Sequence, residues 1–542
     1  MTRSPQVLIV GAGPAGLAAA IELGHRGVRC LAVERSDRVG YAPRAKTTNV
    51  RTREHLRRWG IADRLAAASP LGVDYPSNIV FCTRLAGFAI ARFENASYCR
   101  PGRNPLYAEH GQWIPQYCLE EVLRAHAETL PGVEIRFRTE LESIEQDAER
   151  VVAQVRDLAT GALQRIECDY LIGADGARSR VRELIGAQMQ GVRGLSRNLN
   201  VIVRAPGLAQ AHAHGPATMY WQVNAEVPSI IGPMDRDEVW YFGPTGLGNE
   251  ARLEDIDLPA MIRRATGIDL AYEVLSADEW VASRLIADRY RDRRVFLAGD
   301  ACHLHPPFGG YGMNMGIADA VDLGWKLAAT LQLWGGPRLL ASYEAERRPV
   351  HEFVMDEAVA NHAVLGNQLW QPGLDDDTPE GDRLRNEVGA RIQAAKQREF
   401  DNLGVVLGYR YAGSPIVADE AGAPPPRHFR DYVPSAHPGC LAPHAWLDDG
   451  RSLYDRFGPG FTLLVAGAPL REDIDRARAA ARSIGVPLEV VAPDDDGVAA
   501  LYAARYALIR PDQHVAWRGD ALPDHPETII GHAVGRALAV AV

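Results

Sequence analysis

Three short stretches carry residues able to hold a phosphorylated ligand. Gly11-Ala12-Gly13-Pro14-Ala15-Gly16 spaces its glycines as Gly-x-Gly-x-x-Gly. At a strand-to-helix turn Gly11 permits the tight bend, Gly13 lets the backbone approach a pyrophosphate, and Gly16 lets helix and strand pack closely. The helix that follows, opened by Pro14 and Ala15, aims free N–H groups and its positive dipole end at the phosphates. Glu34 closes the next apolar run, at the ~20-residue spacing where a carboxylate takes ribose hydroxyls. Asp175-Gly176 and Gly299-Asp300 each follow an apolar run as well, Tyr170-Leu171-Ile172 and Val295-Phe296-Leu297. Strands that deliver all three turns at their carboxyl ends let them close on one dinucleotide. His303 and His305 put two imidazoles on one side of an extended turn, but no third ligand is evident, so they read as loop histidines and no metal is expected.

The elements that must position these turns follow from pattern. Val7-Leu8-Ile9-Val10 reads as a buried parallel strand, apolar on both faces. Val133–Phe137 and Val151–Val155, with a charged turn between, read as a small β-meander rather than a continuation of the parallel sheet. Alternating patches such as Met219-Tyr220-Trp221 and Val239-Trp240-Tyr241 predict antiparallel strands between Asn198 and Ala282. The arginine-rich helix around Arg51, Arg53, Arg57 and Arg58 reads as a solvated face. Ser179 is positioned to cap the helix behind Asp175. Past the linker-like Ala421–Arg427 the pattern changes to a βαβ-like unit from Phe461 to Arg510.

With 542 residues the chain exceeds one core's capacity. The net charge of −10 is scattered rather than blocked, which argues against nucleic-acid or membrane partners. Seven cysteines without a Cys-x-x-Cys pair imply a reducing compartment, and no secretory or membrane-spanning stretch is read, so a cytoplasmic protein is expected.

In their order and spacing the three turns resemble the single-component FAD-dependent aromatic hydroxylases, flavoprotein monooxygenases of the para-hydroxybenzoate, phenol and polyketide hydroxylase type, over roughly residues 1–400. The piece with Arg510-Pro511-Asp512 and Trp517-Arg518 resembles the thioredoxin-like domain of the phenol and polyketide branches, without the redox cysteine pair. The resemblance implies an α/β fold. A Rossmann-like FAD-binding domain (1–72, 103–190 and 283–400, with following helices) would carry an inserted mixed β-sheet substrate domain (73–102 and 191–282). A C-terminal thioredoxin-like domain (401–542) would follow. It implies that Glu34 holds the adenosine ribose and Arg35 lies by the adenine. Arg44 and Gln116 would contact the phosphate or ribityl region, and Asp175 would sit near the FAD phosphates. Asp300 would bind the ribityl chain, Pro307 would face the isoalloxazine, and Gly310, Gly312, Met313 and Asn314 would form the turn whose N–H groups meet the flavin pyrimidine edge.

The implied reaction uses NAD(P)H as a transient co-substrate and O2, through a flavin hydroperoxide, to hydroxylate a phenolic or polycyclic (polyketide) ring. A homodimer is implied too. Where phenol-hydroxylating relatives tend to place a His or Asp, this sequence has Lys46, able to act as a base or as a cation holding phenolate. Tyr220 and Tyr241 are further candidates. Alternatives on the same scaffold are Baeyer–Villiger-type or antibiotic-inactivating oxygenation, a flavin-dependent dehydrogenase, or a non-catalytic flavin-binding redox sensor.

Overall fold

The computed structural model describes residues 4–37, 45–245, 252–363, 368–467 and 470–537. Three strands found from apolar runs, β1 (Val7–Val10), β2 (Cys30–Val33) and β3 (Tyr170–Gly173), are fully buried along their length. They sit centrally in a six-stranded sheet of order Arg291–Asp292, Val295–Leu297, β3, β1, β2, Val133–Arg136. All pairings are parallel except the one that adds Arg291–Asp292. Val133–Arg136 therefore extends the parallel sheet, contrary to the meander expected for it. As an edge strand it is only half-buried and lacks the unbroken apolar run that marks a central one. The meander is real but begins one strand later, at Thr139–Gln146, Val151–Asp157 and Leu163–Cys168.

The helices that build the site are, in chain order, α1 (Pro14–His25), α2 (Val50–Arg58), α3 (Gln116–Ala127), α4 (Arg180–Leu184), α5 (Leu258–Thr266), α6 (Tyr311–Leu331), α7 (Ser342–His362) and α8 (Pro379–Phe400). Small residues let α1 and α6 approach closely. A Cβ on Gly316 would stand 3.4 Å from that of Ala15, and one on Gly324 would strike the Glu22 side chain at 2.6 Å. Glu22, fully buried in α1, receives Arg26, Arg58 and Trp59, which fastens α2 to the first helix.

The second sheet has eight strands, ordered His303–Leu304, β6 (Glu273–Ala287), β4 (Met189–Arg204), β5 (Val239–Pro244), Ser229–Pro233, Met219–Gln222, Ile79–Cys82 and Ala89–Phe93. It is mixed, because Met219–Gln222 runs parallel to Ile79–Cys82. Side chains alternate between its faces. Leu199, Val201, Val203 and Phe242 pack on Leu258 and Ile262 of α5. Ile202, Met234 and Tyr241 face the other way, toward Trp113. Phe81 and Trp221 also turn there and meet Phe308 and α8. That inner face looks onto the layer built on the six-stranded sheet.

The C-terminal sheet, ordered Leu488–Val491, Phe461–Val465, Tyr506–Ile509, Val515–Gly519, joins a parallel βαβ pair to two antiparallel strands. It is welded to the rest by buried charge. Arg510 meets Glu346 at 2.6 Å, Asp512 at 2.6 Å and Asp322 at 3.0 Å, and Lys326 lies 2.8 Å from Asp322. Arg51 donates to Gln513 Oε1 and to the Asp512 carbonyl, both at 2.7 Å. Arg51 and Arg53 are buried, so this part of the arginine-rich helix is a docking face and not a solvated one. Among the described residues no helix is long and apolar enough to cross a membrane, and all seven cysteines are free.

Candidate functional site

The three turns meet. Gly11 adopts φ +102°, and a Cβ there would lie 2.3 Å from the Ala174 carbonyl oxygen and 2.9 Å from Asp175 Cα, so the second turn lies directly on the first. Gly299, at φ +63°, would bring a Cβ within 3.1 Å of Ala15 Cβ and 3.6 Å of Gly316 Cα. The third turn thus rests on the first turn of α1 and the second turn of α6. Each bend requires a residue free of Cβ strain. Gly13 differs: a Cβ there would meet no protein atom within 4 Å.

Neither α1 nor α6 has a side-chain cap, and Gly310 begins α6 at φ +68°. First-turn N–H groups without such caps, on two helices that touch at Gly299, form a positive, donor-rich corner. The open face at Gly13 and these donors fit a diphosphate-bearing cofactor.

Most of the expected contact residues surround this corner. Glu34 accepts the Ala12 and Ser36 N–H groups, each at 2.9 Å, which ties the end of β2 to the glycine loop. Arg35 is exposed beside it. Arg44 lies outside the described residues. Gln116, first in α3, accepts the Ala45 N–H at 3.1 Å and donates to Glu120 at 2.6 Å, so its side chain holds the chain entering at Ala45.

Asp175 spends its carboxylate on α4, accepting the Ser179 hydroxyl at 2.5 Å and the Arg180 and Val181 N–H groups at 2.6 and 3.1 Å. Ser179 in turn caps the helix by accepting the Arg182 N–H. Gly176, next to Asp175, has open space at its Cβ position, as does Gly312 in α6. Asp300 follows Gly299 in the same short turn. Pro307 is exposed and Met313 half-buried. Asn314 is buried; it donates to Thr47 and Gly310 carbonyls at 2.9 and 2.7 Å and accepts the Asn49 N–H at 3.0 Å. Its amide therefore fixes residues 47–49 against the start of α6.

Lys46 leads into that segment and reaches the inner face of the second sheet. Its Nζ sits 4.3 Å from the centre of the Tyr241 ring, a cation–π contact, and it has no ion-pair partner among the described residues. Burial pushes its ammonium down to about 8. Trp113 lies beside the same ring at 6.3 Å.

The structure separates the two tyrosines. The Tyr241 hydroxyl donates to the Thr218 carbonyl at 3.0 Å, leaving its ring, not its oxygen, toward Lys46. Tyr220 points to the α5 side, where its hydroxyl donates to the Gly215 carbonyl at 2.6 Å. It has no place in the site, because strand alternation turns it to the opposite face.

Asp319 in α6 organises the loop between the third turn and α6. It accepts the Gly299 N–H at 3.0 Å, His303 Nε2 at 2.7 Å, Arg347 Nε at 2.8 Å and His351 Nε2 at 2.8 Å. Burial alone would raise its carboxyl, but His351, Arg347 and His303 hold it well below the usual range. No third histidine stands close to His303 and His305 in the sequence. His351 is the third, and its only trace was a position four residues past Arg347, on the same helical face. The His303 and His351 rings stack 3.8 Å apart at 23°, and with His305 they bring three ring nitrogens within 4.8 Å of one another, while Asp319 takes Nε2 of both His303 and His351. Arg347, Arg510 and Asp512 were also missed as partners of this region.

Comparison with known proteins agrees with this geometry. The FAD binding domain family matches residues 4–358, and the family described as aromatic-ring hydroxylase, C-terminal, matches residues 435–538. A 4-methyl-5-nitrocatechol 5-monooxygenase from Burkholderia sp is 32% identical over 98% of this chain and 97% of its own. A tetracenomycin B2 monooxygenase-dioxygenase from Streptomyces olivaceus is 34% identical over 98% of each chain. The solved structure of the rebeccamycin biosynthetic enzyme RebC with reduced flavin superposes with a TM-score of 0.90 at 35% identity, covering 98% of this chain and 99% of that one.

Proposed function

The chain belongs to the FAD-dependent aromatic-ring hydroxylases, and on that premise we propose how its own residues serve the reaction. The overall change is insertion of one atom of O2 into an aromatic C–H bond, the other leaving as water. NAD(P)H supplies the two electrons as a hydride in this reading, solvent supplies the remaining proton of the water, and a cytoplasmic homodimer belongs to the same reading. FAD, when bound, supplies the redox and oxygen-activating chemistry.

The protein's part is positioning and exclusion of water. Gly13 and the first turn of α1 receive the diphosphate, Glu34 the adenosine ribose, and Asp300 the ribityl chain. Gly310, Gly312 and Met313 direct the N-terminus of α6 at the flavin ring, where its dipole favours negative charge. Pro307 would face that ring. Lys46, desolvated over Tyr241, holds a phenolic oxygen as its anion and so raises the electron density of the ring to be oxygenated. The observation that carries the reading is the meeting of three distant turns at Gly299, Ala15 and Ala174, beside a sheet face on which Lys46 lies over Tyr241 with no ion-pair partner among the described residues.

The test is direct. The purified protein supplied with FAD should turn yellow and oxidise NAD(P)H faster when an aromatic ligand is added. Isotopically labelled O2 should put one labelled oxygen into the product. A colourless protein, or a ligand-stimulated oxidation that yields only hydrogen peroxide with every phenol tried, would sink the reading.

A further inference from the structure

The inner face of β4 carries a polar stripe that neither the cofactor nor Lys46 uses. Ser196, Asn198, Asn200 and Ile202 occupy alternate positions and share this face, opposite the side that packs on α5. Ile202 pairs in register with Tyr241, the residue under Lys46. At the other end of the stripe Ser196 Oγ lies 2.9 Å from His362 Nε2, at the last turn of α7. The His362 ring stands edge-on to Phe308 at 5.2 Å, and Phe308 immediately follows Pro307. The second ring nitrogen, Nδ1, has no hydrogen-bond partner among the described residues. Burial, with the nearby Lys396 ammonium, lowers the imidazole's affinity for a proton, so it is neutral near pH 7 and able to donate or accept.

The register from Ser196 to Ile202 is unbroken, since the irregularities of this strand pair fall on either side of it. Six residues of extended strand span ~20 Å. Gly243, which follows Tyr241 by two residues on the same face, leaves room along that span: a Cβ there would meet nothing nearer than the Leu199 carbonyl oxygen at 3.4 Å.

We propose that His362, oriented by Ser196, is a second recognition point that reads an oxygen function at the far end of an elongated, fused-ring substrate whose phenolic end lies at Lys46. The inference rests on the hydroxylase reading above for the location of the reacting end. A single phenol ring reaches one end of the stripe only. A fused-ring system with oxygen at both ends extends along the stripe from one end toward the other.

Three probes separate the possibilities: phenol, 2-hydroxyanthraquinone and 2,6-dihydroxyanthraquinone, each titrated into the FAD-loaded protein and followed by the flavin absorbance change. The dihydroxy compound should bind about tenfold more tightly than the monohydroxy compound, the effect of one well-made hydrogen bond. His362→Leu should erase that difference and leave phenol unchanged. Gly243→Ile should weaken both anthraquinones and spare phenol, with FAD content showing that the variants fold. Equal affinity for the two anthraquinones, or an equal loss for all three probes in His362→Leu, would overturn the proposal. Length-dependent binding without any oxygenated product would instead overturn the hydroxylase reading and leave this recognition point standing.

Discussion

His303 Nε2 lies 2.7 Å from Asp319 Oδ2, with neither side chain exposed to solvent. The same carboxylate takes the Gly299 N–H, Arg347 and His351, so one residue of α6 sets the third turn and α7 together. Asp319→Asn would put an amide N–H among donors and leave Arg347 without its counter-charge. Breaking a buried ion pair on one side costs about 3–5 kcal/mol. The variant should melt earlier and retain less FAD, read from a thermal scan and the visible flavin absorbance.

Gly13→Ala separates cofactor binding from folding. A methyl there touches no protein atom, and the backbone φ of −75° suits any residue. The FAD-free protein should be as stable as the parent or slightly more so, by the ~0.4–1 kcal/mol that a compatible Gly→Ala change gives. FAD should bind at least tenfold more weakly by fluorescence titration. Gly16→Ala is the control, because its Cβ would fall 1.9 Å from the Gly11 carbonyl oxygen and should disrupt the fold itself.

Lys46 predicts a pH limb. Its ammonium, depressed by burial to about 8, loses its charge as pH rises through that value, so a cation that holds phenolate is present below it and absent above it. The kcat/KM of hydroxylation, corrected for ionisation of the free substrate, should fall above about pH 8. Lys46→Met should lower the rate, remove the limb and leave flavin content unchanged, and Lys46→Arg should displace the limb upward. A limb that rises through the same pH would identify the neutral amine as a base instead. Unchanged rate and coupling in Lys46→Met would remove the residue from the mechanism.

Glu22 makes the fold acid-sensitive. Burial would raise its carboxyl, but Arg58 and Arg26 bring it down to about 2 from an ordinary 4.5. Its contribution is fully present above about pH 4.5 and is lost as pH falls toward 2, a total on the order of 3 kcal/mol. Glu22→Gln should be less stable than the parent at pH 7, and the gap should narrow as both are titrated with acid and unfolded in urea.

Arg510→Met should cost more than any surface change. It strands Asp322, Glu346 and Asp512 in a dry interior, where Lys326 still meets Asp322 and Glu346 and the remaining ion-pair partner of Asp512 among the described residues is His514 at 3.6 Å. Loss of soluble, flavin-loaded protein is the expected outcome, measured by yield and absorbance ratio. A normal yield of yellow protein from the variant would show the weld to be dispensable.

What the sequence made legible was local. The glycine spacing, the placement of Glu34, and one Asp–Gly and one Gly–Asp pair behind apolar runs are each contained within one turn, and their chemistry needs only that turn. Ser179 as a cap belongs to the same kind, with its partner three residues on. The arginines of α2 misled because charge pattern reports exposure only when partners are near in the chain. Arg51 pairs with Glu54 three residues on, yet the partners that dock it against the C-terminal sheet, Gln513 and the Asp512 carbonyl, lie 462 and 461 residues away. Val133–Arg136 misled because an edge strand of a parallel sheet is covered on fewer sides than the strands that define the rule. Tyr220 and Tyr241 looked alike in sequence, and only the pairing of their strands sends one toward Lys46 and the other under α5. His351 and His362 were invisible for a simpler reason: a helix holds many positions, and which of them meet a loop or a strand depends on docking.

The bond between Arg510 and the helix that begins at Tyr311 sets an order of events during synthesis. While the ribosome is still making the C-terminal sheet, Asp322 and Glu346 have no guanidinium to settle against, and the middle of that helix lacks its counter-charge. Loading of FAD is therefore expected to wait until translation is all but finished, and a ribosome stalled before Arg510 should carry a colourless nascent chain.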